Sequence, residues 1–266
     1  MATFTYGNLG VGIDMSNSSV AGLLNYDFWR ATSTKITVSD DASNFTAFSG
    51  SGFKITKSKA GDLTDITAGT LTGIKIVFGG ETGLSITGLK LSAAKVADTI
   101  FALNDAAFLS LILSGDDTVN GTSKADKLLG GAGSDVLKGD GGGDKLLGGA
   151  GADDLFGGTG ADRFVFTKLS DSGKTTTTRD TIFDFSLSQG DRIDLAAIDA
   201  NTKTSSVNDA FKFIGTDKFS GKAGELRFDL KTSDTYVYVD VNGDKVADLS
   251  IHLDDRIVLE KADFVL

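Results

Sequence analysis

Six aspartates recur at every ninth position in the middle of the chain, and their carboxylates are the groups best placed to do chemistry. They are Asp117, Asp126, Asp135, Asp144, Asp153 and Asp162. A glycine lies two residues before five of the six, the exception being Lys124. A short carboxylate on a tight, glycine-rich turn is a hard oxygen ligand, and Ca²⁺ takes six to eight such oxygens in flexible geometry. The spacing therefore indicates a calcium-binding array.

The same spacing indicates how the array is built. An apolar residue follows each Asp by two positions, namely Val119, Leu128, Leu137, Leu146, Leu155 and Phe164. The full Gly-Gly-x-Gly-x-Asp unit occurs at 130–135, 148–153 and 157–162, and variants of it occur at 121–126 and 139–144. The glycines permit a tight turn with positive φ, and the following residues form a short strand with one side chain inward. One copy cannot bury its apolar residue alone, so the copies must stack.

We expect nine residues to make half a coil, so that turns 18 residues apart are stacked neighbours. Carboxylates one strand spacing apart, about 4.8 Å, repel each other unless a cation lies between them. The best pairs are 135 with 153 and 144 with 162, followed by 126 with 144. The 117 with 135 pair is weaker, because Ile112 and Leu113 replace its first two glycines.

These pairs predict about three to five calcium ions. The four glycine-rich turns supply the expected ligands Gly130, Gly131, Ala132, Gly133, Asp135, Gly139, Asp140, Gly141, Gly142, Asp144, Gly148, Gly149, Ala150, Gly151, Asp153, Gly157, Gly158, Thr159, Gly160 and Asp162, with Asp117, Asp126 and Asp171 as further candidates. A flexible Gly/Asp linker is the alternative, but six phased acids with six phased apolar residues disfavour it.

This array closely resembles the RTX (repeats-in-toxin, or haemolysin-type) calcium-binding family. Residues 163–195 and the end of the chain, VYVDVNGDKVADLSIHL and KADFVL, are similar to the region that follows the roll in serralysin-type secreted proteases. The resemblance covers roughly residues 113–266. It implies a calcium-folded, non-catalytic parallel β-roll, exported by a type I secretion machinery that reads an uncleaved signal at the extreme C-terminus, here Asp263-Phe264-Val265-Leu266.

The predicted fold is all-β: a calcium-bound parallel β-roll of nonapeptide repeats at 113–166, between an N-terminal β-rich module at 1–112 and a C-terminal β-rich cap at 167–266. Short strands with glycine-rich turns in the N-terminal module favour a sandwich or an irregular solenoid. Ser92 is a predicted helix N-cap, and we expect residues 92–112 to form a helical lid on the first coil of the roll.

Several acids beyond the repeats have two interpretations. Asp171 and Asp180 continue the nine-residue phase without its glycines, and Asp171 is equally well interpreted as an outer ligand near Asp153 or as a surface acid that caps the roll. A turn between two strands explains Asp184, Asp191 and Asp194.

Residues 240–248 offer both an acidic calcium loop, with Asp240, Asn242, Asp244 and Asp248 as ligands, and a hairpin. Lys245 stands where such calcium loops need glycine. Alternation on both sides and the Asn242-Gly243 pair favour the hairpin, closed by a type I′ turn. The only histidine, His252, lies at an alternating strand position, which predicts a cross-strand or surface role.

The composition narrows the function classes. A net charge of −10 disfavours nucleic acids and anionic membranes as partners, and there is no cysteine. No signal-peptide pattern begins the chain, and no apolar run reaches membrane-spanning length. One histidine excludes an HExxH zinc protease site, and no GxSxG motif is present.

We therefore expect a secreted, extracellular or cell-surface, bacterial calcium-binding protein that is not an enzyme, with an N-terminal module that binds a surface, a glycan or a partner. A small carbohydrate-active or other extracellular enzyme is the alternative. Its candidate acids are Asp14, Asp27, Asp40, Asp41, Asp62 and Asp65, and Trp29 is a candidate core residue or binding platform. A pore-forming toxin is disfavoured, because no membrane-active apolar stretch is present.

Overall fold

A computed structural model describes residues 1–6, 15, 28–39, 42–57, 63–78, 81–204 and 208–266. These residues form two β-sheets, two α-helices and two one-turn 3-10 helices. The strands are β1 Thr3–Tyr6, β2 Phe28–Ala31, β3 Lys35–Ser39, β4 Phe45–Lys57, β5 Leu63–Phe78, β6 Glu81–Ser92, β7 Thr118–Asn120, β8 Lys127–Ala132, β9 Val136–Lys138, β10 Lys145–Ala150, β11 Asp154–Phe156, β12 Arg163–Val165, β13 Thr181–Ile182, β14 Arg192–Asp194, β15 Lys212–Phe213, β16 Glu225–Leu230, β17 Thr235–Asp240, β18 Leu249–Leu253 and β19 Phe264–Val265. The helices are α1 Ala93–Phe101 and α2 Asp105–Ile112, and the 3-10 turns are Leu169–Asp171 and Lys261–Asp263.

The repeats form a roll in which consecutive strands alternate between the two sheets. β7, β9 and β11 are neighbours in the larger sheet, and β8, β10 and β12 are neighbours in the smaller one. All of these neighbours are parallel, and their register advances by 18 residues, as from Val119 to Leu137 to Leu155. Nine residues therefore make half a coil, as the sequence predicts.

The core of the roll is a ladder of the six phased apolar residues. None of them is more than 1% exposed. Burying one such side chain contributes roughly 1.5–3 kcal/mol relative to leaving it in water. The ladder holds the two sheets together and leaves the turns at the two edges of the roll.

The N-terminal region is one antiparallel sheet covered by a helix, not the expected sandwich or solenoid. Its described strands follow the order β2-β3-β4-β5-β6-β1. The short strands expected from the sequence are merged into long ones, with β4 of 13 and β5 of 16 residues. Register shifts at Gly50 and Gly73 let these long strands bend.

The segment expected to be helical, 92–112, forms two helices, and the Ser92 side chain accepts a hydrogen bond from the Lys95 N–H at 3.4 Å. The first helix does not lie where the sequence predicts it, on the first coil of the roll. The apolar face of α1, which includes Val96 and Ile100, packs against Phe48 and Leu71 of the N-terminal sheet. Helix α1 therefore covers this sheet and not the first coil of the roll.

Strand β1 covers the first coil instead. It pairs in parallel with β7, placing Phe4 beside Val119, and pairs antiparallel with β6 on its other side. Phe4 is 1% exposed and continues the apolar ladder. The larger sheet therefore runs without a break from the N-terminal region into the roll.

The C-terminal region adds further coils. β13 extends the larger sheet and β14 the smaller one, and each is followed by another parallel strand, β18 and β19 respectively. β16, β17 and β18 form an antiparallel meander. Its β17–β18 hairpin is the one that the alternation at 236–253 predicts. The final strand β19 pairs with β14, so the last residues of the chain pack onto the end of the roll.

Candidate metal centres

Each repeat Asp joins two coils through its backbone and one side-chain oxygen. The N–H of Asp117 donates to Asp135 Oδ1, 18 residues on, at 2.7 Å. The same bond, at 2.8 Å, joins Asp126 to Asp144, Asp135 to Asp153 and Asp144 to Asp162. The bonds align the turns on two edges of the roll.

We name these edges by a central residue. The Asp135 edge comprises Asp117, Asp135, Asp153 and Asp180 and contains the turns 130–135 and 148–153. The Asp144 edge comprises Asp126, Asp144, Asp162 and Asp191 and contains the turns 139–144 and 157–162. All eight acids are buried, between 0% and 4% exposed. The turn residues expected to bind calcium therefore lie on these two edges, in the predicted pairs.

The second carboxylate oxygen is what distinguishes these acids from ordinary turn acids. Six buried Oδ2 atoms have no hydrogen-bond partner: those of Asp117, Asp135, Asp144, Asp153, Asp162 and Asp180. A buried ionised carboxylate oxygen without a partner is strongly unfavourable. The described structure therefore leaves six oxygens that a cation would satisfy.

Each of the two best-formed sites also offers a backbone carbonyl. A methyl group placed on Gly130 would lie 2.5 Å from Asp135 Oδ2 and 2.5 Å from the carbonyl oxygen of Gly148, in the next stacked turn. At Gly139 the corresponding space lies between Asp144 Oδ2 and the Gly157 carbonyl. Carboxylate and carbonyl oxygens from two turns converge on space that glycine leaves open, a donor set that fits Ca²⁺.

The second residue of each of the four glycine-rich turns has a left-handed backbone conformation. Gly131, Asp140, Gly149 and Gly158 have φ of 103°, 74°, 100° and 90°. Asp140 is the non-glycine member of the set, and Asp tolerates this region better than most residues. The Asp140 side chain is exposed, so its carboxylate lies outside the row of buried oxygens.

The turn 121–126 differs because its second residue, Thr122, is not left-handed. The Thr122 N–H donates to Asp126 Oδ2 at 2.6 Å, and its hydroxyl donates to the same oxygen at 3.0 Å. Asp126 Oδ2 thus already has the partners that the other repeat acids lack.

Burial raises the pKa of Asp117, Asp135, Asp144, Asp153 and Asp162. It raises the pKa of Asp135 and of Asp144 to about 7, opposed by one backbone N–H bond each and reinforced by the charges of Asp153 and Asp162 respectively. The pKa of Asp153 rises to about 6 for the same main reason. These acids resist ionisation without a compensating positive charge.

The C-terminal end of both edges is closed by acids that the sequence assigned to ordinary turns or to a weak continuation. On the Asp135 edge, Asp180 Oδ1 accepts the Asp153 N–H at 3.1 Å. Burial, followed by the charge of Asp153, raises the pKa of Asp180 to about 9. The continued nine-residue phase was the signal for Asp180.

Other acids close the Asp144 edge. Asp191 Oδ1 accepts the Asp162 N–H at 2.9 Å, and Asp191 Oδ2 accepts the Ser186 N–H. The two oxygens of Asp184 accept the N–H groups of Gly157 and Gly158, each at 2.8 Å. Asp191 lies 29 residues after Asp162, so the nine-residue period could not find it. Asp194 lies in β14 and forms an ion pair with Arg163 at 3.6 Å.

The charge of Asp171 raises the pKa of both Asp153 and Asp180. Asp171 therefore lies near the gap between these two acids. Its Oδ2 accepts the Thr167 N–H at 2.7 Å and the Lys168 N–H at 2.9 Å. It therefore combines features of both interpretations: the carboxylate is buried near the gap, and one oxygen is engaged in a turn.

Residues 240–248 form the loop of the β17–β18 hairpin, but not through the predicted two-residue turn. Gly243 and Lys245 have positive φ, whereas a type I′ turn requires it at both Asn242 and Gly243. Asp240 accepts the N–H groups of Gly243 and Lys245, and Asp248 accepts that of Val241. These side-chain bonds stabilise a longer loop. As the alternation predicts, His252 lies opposite Tyr236 on the neighbouring strand.

The candidate acids of the enzyme hypothesis are mostly outside the described residues, namely Asp14, Asp27, Asp40, Asp41 and Asp62. Asp65 lies in β5, where its Oδ1 accepts the Ile66 N–H. Trp29 lies in β2, and its side chain is outside the described part of the structure. Neither helix of the described chain is long and apolar enough to cross a membrane.

Comparison with known proteins agrees with this geometry. The family model described as "Peptidase M10 serralysin C terminal" matches residues 113–266, more than half of the 266-residue chain. No curated protein matches the chain.

Two solved structures from Azotobacter vinelandii are similar to it. The AlgE6R3 subunit of a mannuronan C5-epimerase is 34% identical, covers 53% of this chain and 71% of its own, and has a TM-score of 0.39. The AlgE6R2 subunit is 28% identical, covers 57% and 88%, and has a TM-score of 0.44. The family assignment rests on the family model.

Proposed function

The chain belongs to the family of serralysin C-terminal domains, the RTX-type calcium-binding β-rolls, and on that premise we propose that it is a secreted protein whose roll folds when it binds extracellular calcium. The observation that carries the proposal is the set of six buried Asp Oδ2 atoms without partners. The RTX resemblance supports the further expectation of export by a type I system to the outside of a bacterial cell.

Four calcium ions are expected in the gaps between stacked turns of the roll. Four gaps between stacked turns have a partnerless Oδ2 on both sides: 117 with 135, 135 with 153, 153 with 180, and 144 with 162. The central gaps receive open space and backbone carbonyl oxygens from the first glycines of the stacked turns, namely Gly130, Gly148, Gly139 and Gly157. The gap between Asp126 and Asp144 takes no ion, because Thr122 satisfies Asp126 Oδ2.

Bound calcium supplies positive charge to a row of acids that otherwise resist ionisation. At neutral pH the unfolded chain carries these acids as solvated carboxylates, and folding without a cation forces them to be buried with charge or to take up protons. Calcium binding energy therefore becomes folding energy. Extracellular modules of this kind bind calcium with dissociation constants of about 10⁻⁴–10⁻³ M.

In this proposal the protein is not an enzyme, and its N-terminal sheet binds a cell surface, a glycan or a partner. The two regions fold together, because the Ala2 N–H donates to Asp117 Oδ1 at 2.7 Å. Strand β1 thereby occupies the position of a coil that precedes the first repeat. The packing of β19 onto β14 supports export before folding, since a C-terminal signal in a folded roll is engaged in the sheet.

A calcium titration of the chelated protein tests this function. Far-UV circular dichroism follows the roll, and the fluorescence of Trp29, the only tryptophan, follows the N-terminal sheet. We expect the β signal to appear cooperatively at sub-millimolar to millimolar calcium, together with a change in Trp29 fluorescence. A full β signal without calcium at pH 8 would contradict the proposal. A response of the roll without Trp29 would separate the two regions and overturn their joint folding.

A further inference from the structure

Three potential metal ligands converge outside the two edges of the roll, where β17 begins and β18 ends. They are Asp234, His252 and Asp254, and each offers one ligand atom within 4.8 Å of the others. Within the described residues this is the one group of three His, Cys, Asp or Glu side chains arranged in this way. The function proposed above makes no use of it.

The imidazole of His252 is held in one orientation by contacts on three sides. Its Nδ1 lies 3.2 Å from the Thr181 hydroxyl, and its ring stacks on Tyr236 with centroids 4.8 Å apart and 15° between the planes. Its Nε2 lies 3.3 Å from Asp234 Oδ1. If Nδ1 carries the proton and donates to Thr181, the Nε2 lone pair faces the Asp234 carboxylate, which is how a ligating histidine is usually oriented.

The distances and the donor types favour a transition metal over calcium. Zinc–nitrogen and zinc–oxygen bonds of about 2.0–2.2 Å span a tetrahedral edge of about 3.3 Å, which matches the separation of Nε2 from Asp234 Oδ1. One imidazole with two carboxylates suits Zn²⁺ and its neighbours, whereas Ca²⁺ prefers oxygen alone.

We propose that Asp234, His252 and Asp254 form a binding site for one first-row divalent transition-metal ion of the Zn²⁺ class, separate from the calcium sites. Three protein ligands leave the fourth tetrahedral position open, and the exposed Asp254 places it at the surface. Asp254 is anchored through its backbone, because its N–H donates to the Ile182 carbonyl at 3.0 Å. The same β13 strand carries Thr181, which orients the imidazole.

The test is a calorimetric zinc titration of the full chain with its roll saturated with calcium. We expect one Zn²⁺ per chain in the wild type. His252→Gln and Asp254→Asn should each weaken zinc binding by at least about tenfold, whereas Asp255→Asn, which removes an exposed acid next to the cluster, should leave it unchanged. Far-UV circular dichroism in calcium checks that each variant is folded. Asp254 is exposed, so its variant remains informative if the His252 variant does not fold.

A second readout separates a metal ligand from a hydrogen-bonded surface histidine. Because the chain has one histidine, its two imidazole C–H proton signals can be followed by NMR, and we expect them to shift and saturate at one equivalent of zinc. The proposal is overturned if the calcium-loaded wild type takes up no zinc, if His252→Gln binds zinc as tightly as wild type, or if the imidazole signals stay fixed while zinc binds.

Discussion

The two edges of the roll share one backbone ladder but differ in the oxygens that the ladder leaves over. On both edges an Asp N–H donates to the Oδ1 of the Asp 18 residues on. On the Asp135 edge every member keeps a partnerless Oδ2, whereas on the Asp144 edge the first and last members, Asp126 and Asp191, have protein donors on both oxygens. The nine-residue period thus specifies the ladder, and the residues around each Asp decide whether a cation site results.

The pH dependence of the calcium-free protein should be the largest expression of this difference. The folded-state pKa values are raised from 3.8, to about 7 for Asp135 and Asp144, about 6 for Asp191 and about 9 for Asp180. A raised carboxyl pKa gives stability that is complete below the unfolded value and is lost as pH rises through the folded value. The chelated roll should therefore fold at pH 4.5 and unfold at pH 8.

Hydrogen exchange between pH 4.5 and pH 9, followed residue by residue in the chelated protein, measures this effect. Loss of stability should extend to higher pH on the Asp135 edge than on the Asp144 edge, because the pKa of Asp180 is raised to about 9. With calcium bound, both edges should stay protected at pH 8. Protection of the chelated roll that is unchanged from pH 4.5 to 8 would show that burial of these acids is not what limits folding.

A core substitution should affect both edges equally, because the apolar ladder lies between them. Leu146 is 0% exposed, and Leu146→Ala should cost about 2–5 kcal/mol of the unfolding free energy of the calcium-loaded protein. Urea unfolding at saturating calcium measures this. As a control, Leu187→Ala, at an exposed leucine, should change the unfolding free energy by less than about 0.5 kcal/mol. A loss no larger than that of the control would mean that the apolar ladder does not hold the two sheets together.

Two matched substitutions on the Asp144 edge compare a cation ligand with a hydrogen-bond acceptor. Asn keeps one oxygen for the backbone ladder and replaces the other with an NH₂ group. Asp144→Asn should raise the calcium concentration at half-folding by at least about tenfold. Asp126→Asn should leave it nearly unchanged and cost about 1 kcal/mol through the hydrogen bonds from Thr122. Equal effects in the calcium titration of the two variants would remove the distinction between the sites.

The smallest effect should be the gain of a site. Thr122→Gly frees Asp126 Oδ2 from the hydroxyl of Thr122 and allows the left-handed backbone of the other turns. Calorimetry should then count one more calcium ion per chain than in the wild type. Thr159→Gly, at an exposed position of a complete turn, is the control and should leave the count unchanged. An unchanged count in the Thr122 variant would mean that more than one residue disables the turn.

The sequence predicts most of the roll, because its signal is local and periodic. The pairing of Val119 with Leu137 and the two edges follow directly from the spacing of nine. The N-terminal contact does not, since Ala2 meets Asp117 across 115 residues and β1 carries no glycine or aspartate of the repeat. The capping role of Asp184 was also missed, because a turn explained that acid locally while its partners, Gly157 and Gly158, lie in a distant turn.

A crystal structure of the calcium-loaded protein, with anomalous scattering from calcium, shows directly which gaps between stacked turns hold an ion. We expect anomalous peaks about 2.3–2.6 Å from the Oδ2 atoms of Asp135 and Asp144, in the gaps toward Asp153 and Asp162, and no peak between Asp126 and Asp144. Empty gaps beside Asp135 and Asp144, or a peak at Asp126 Oδ2 as strong as theirs, would contradict this expectation.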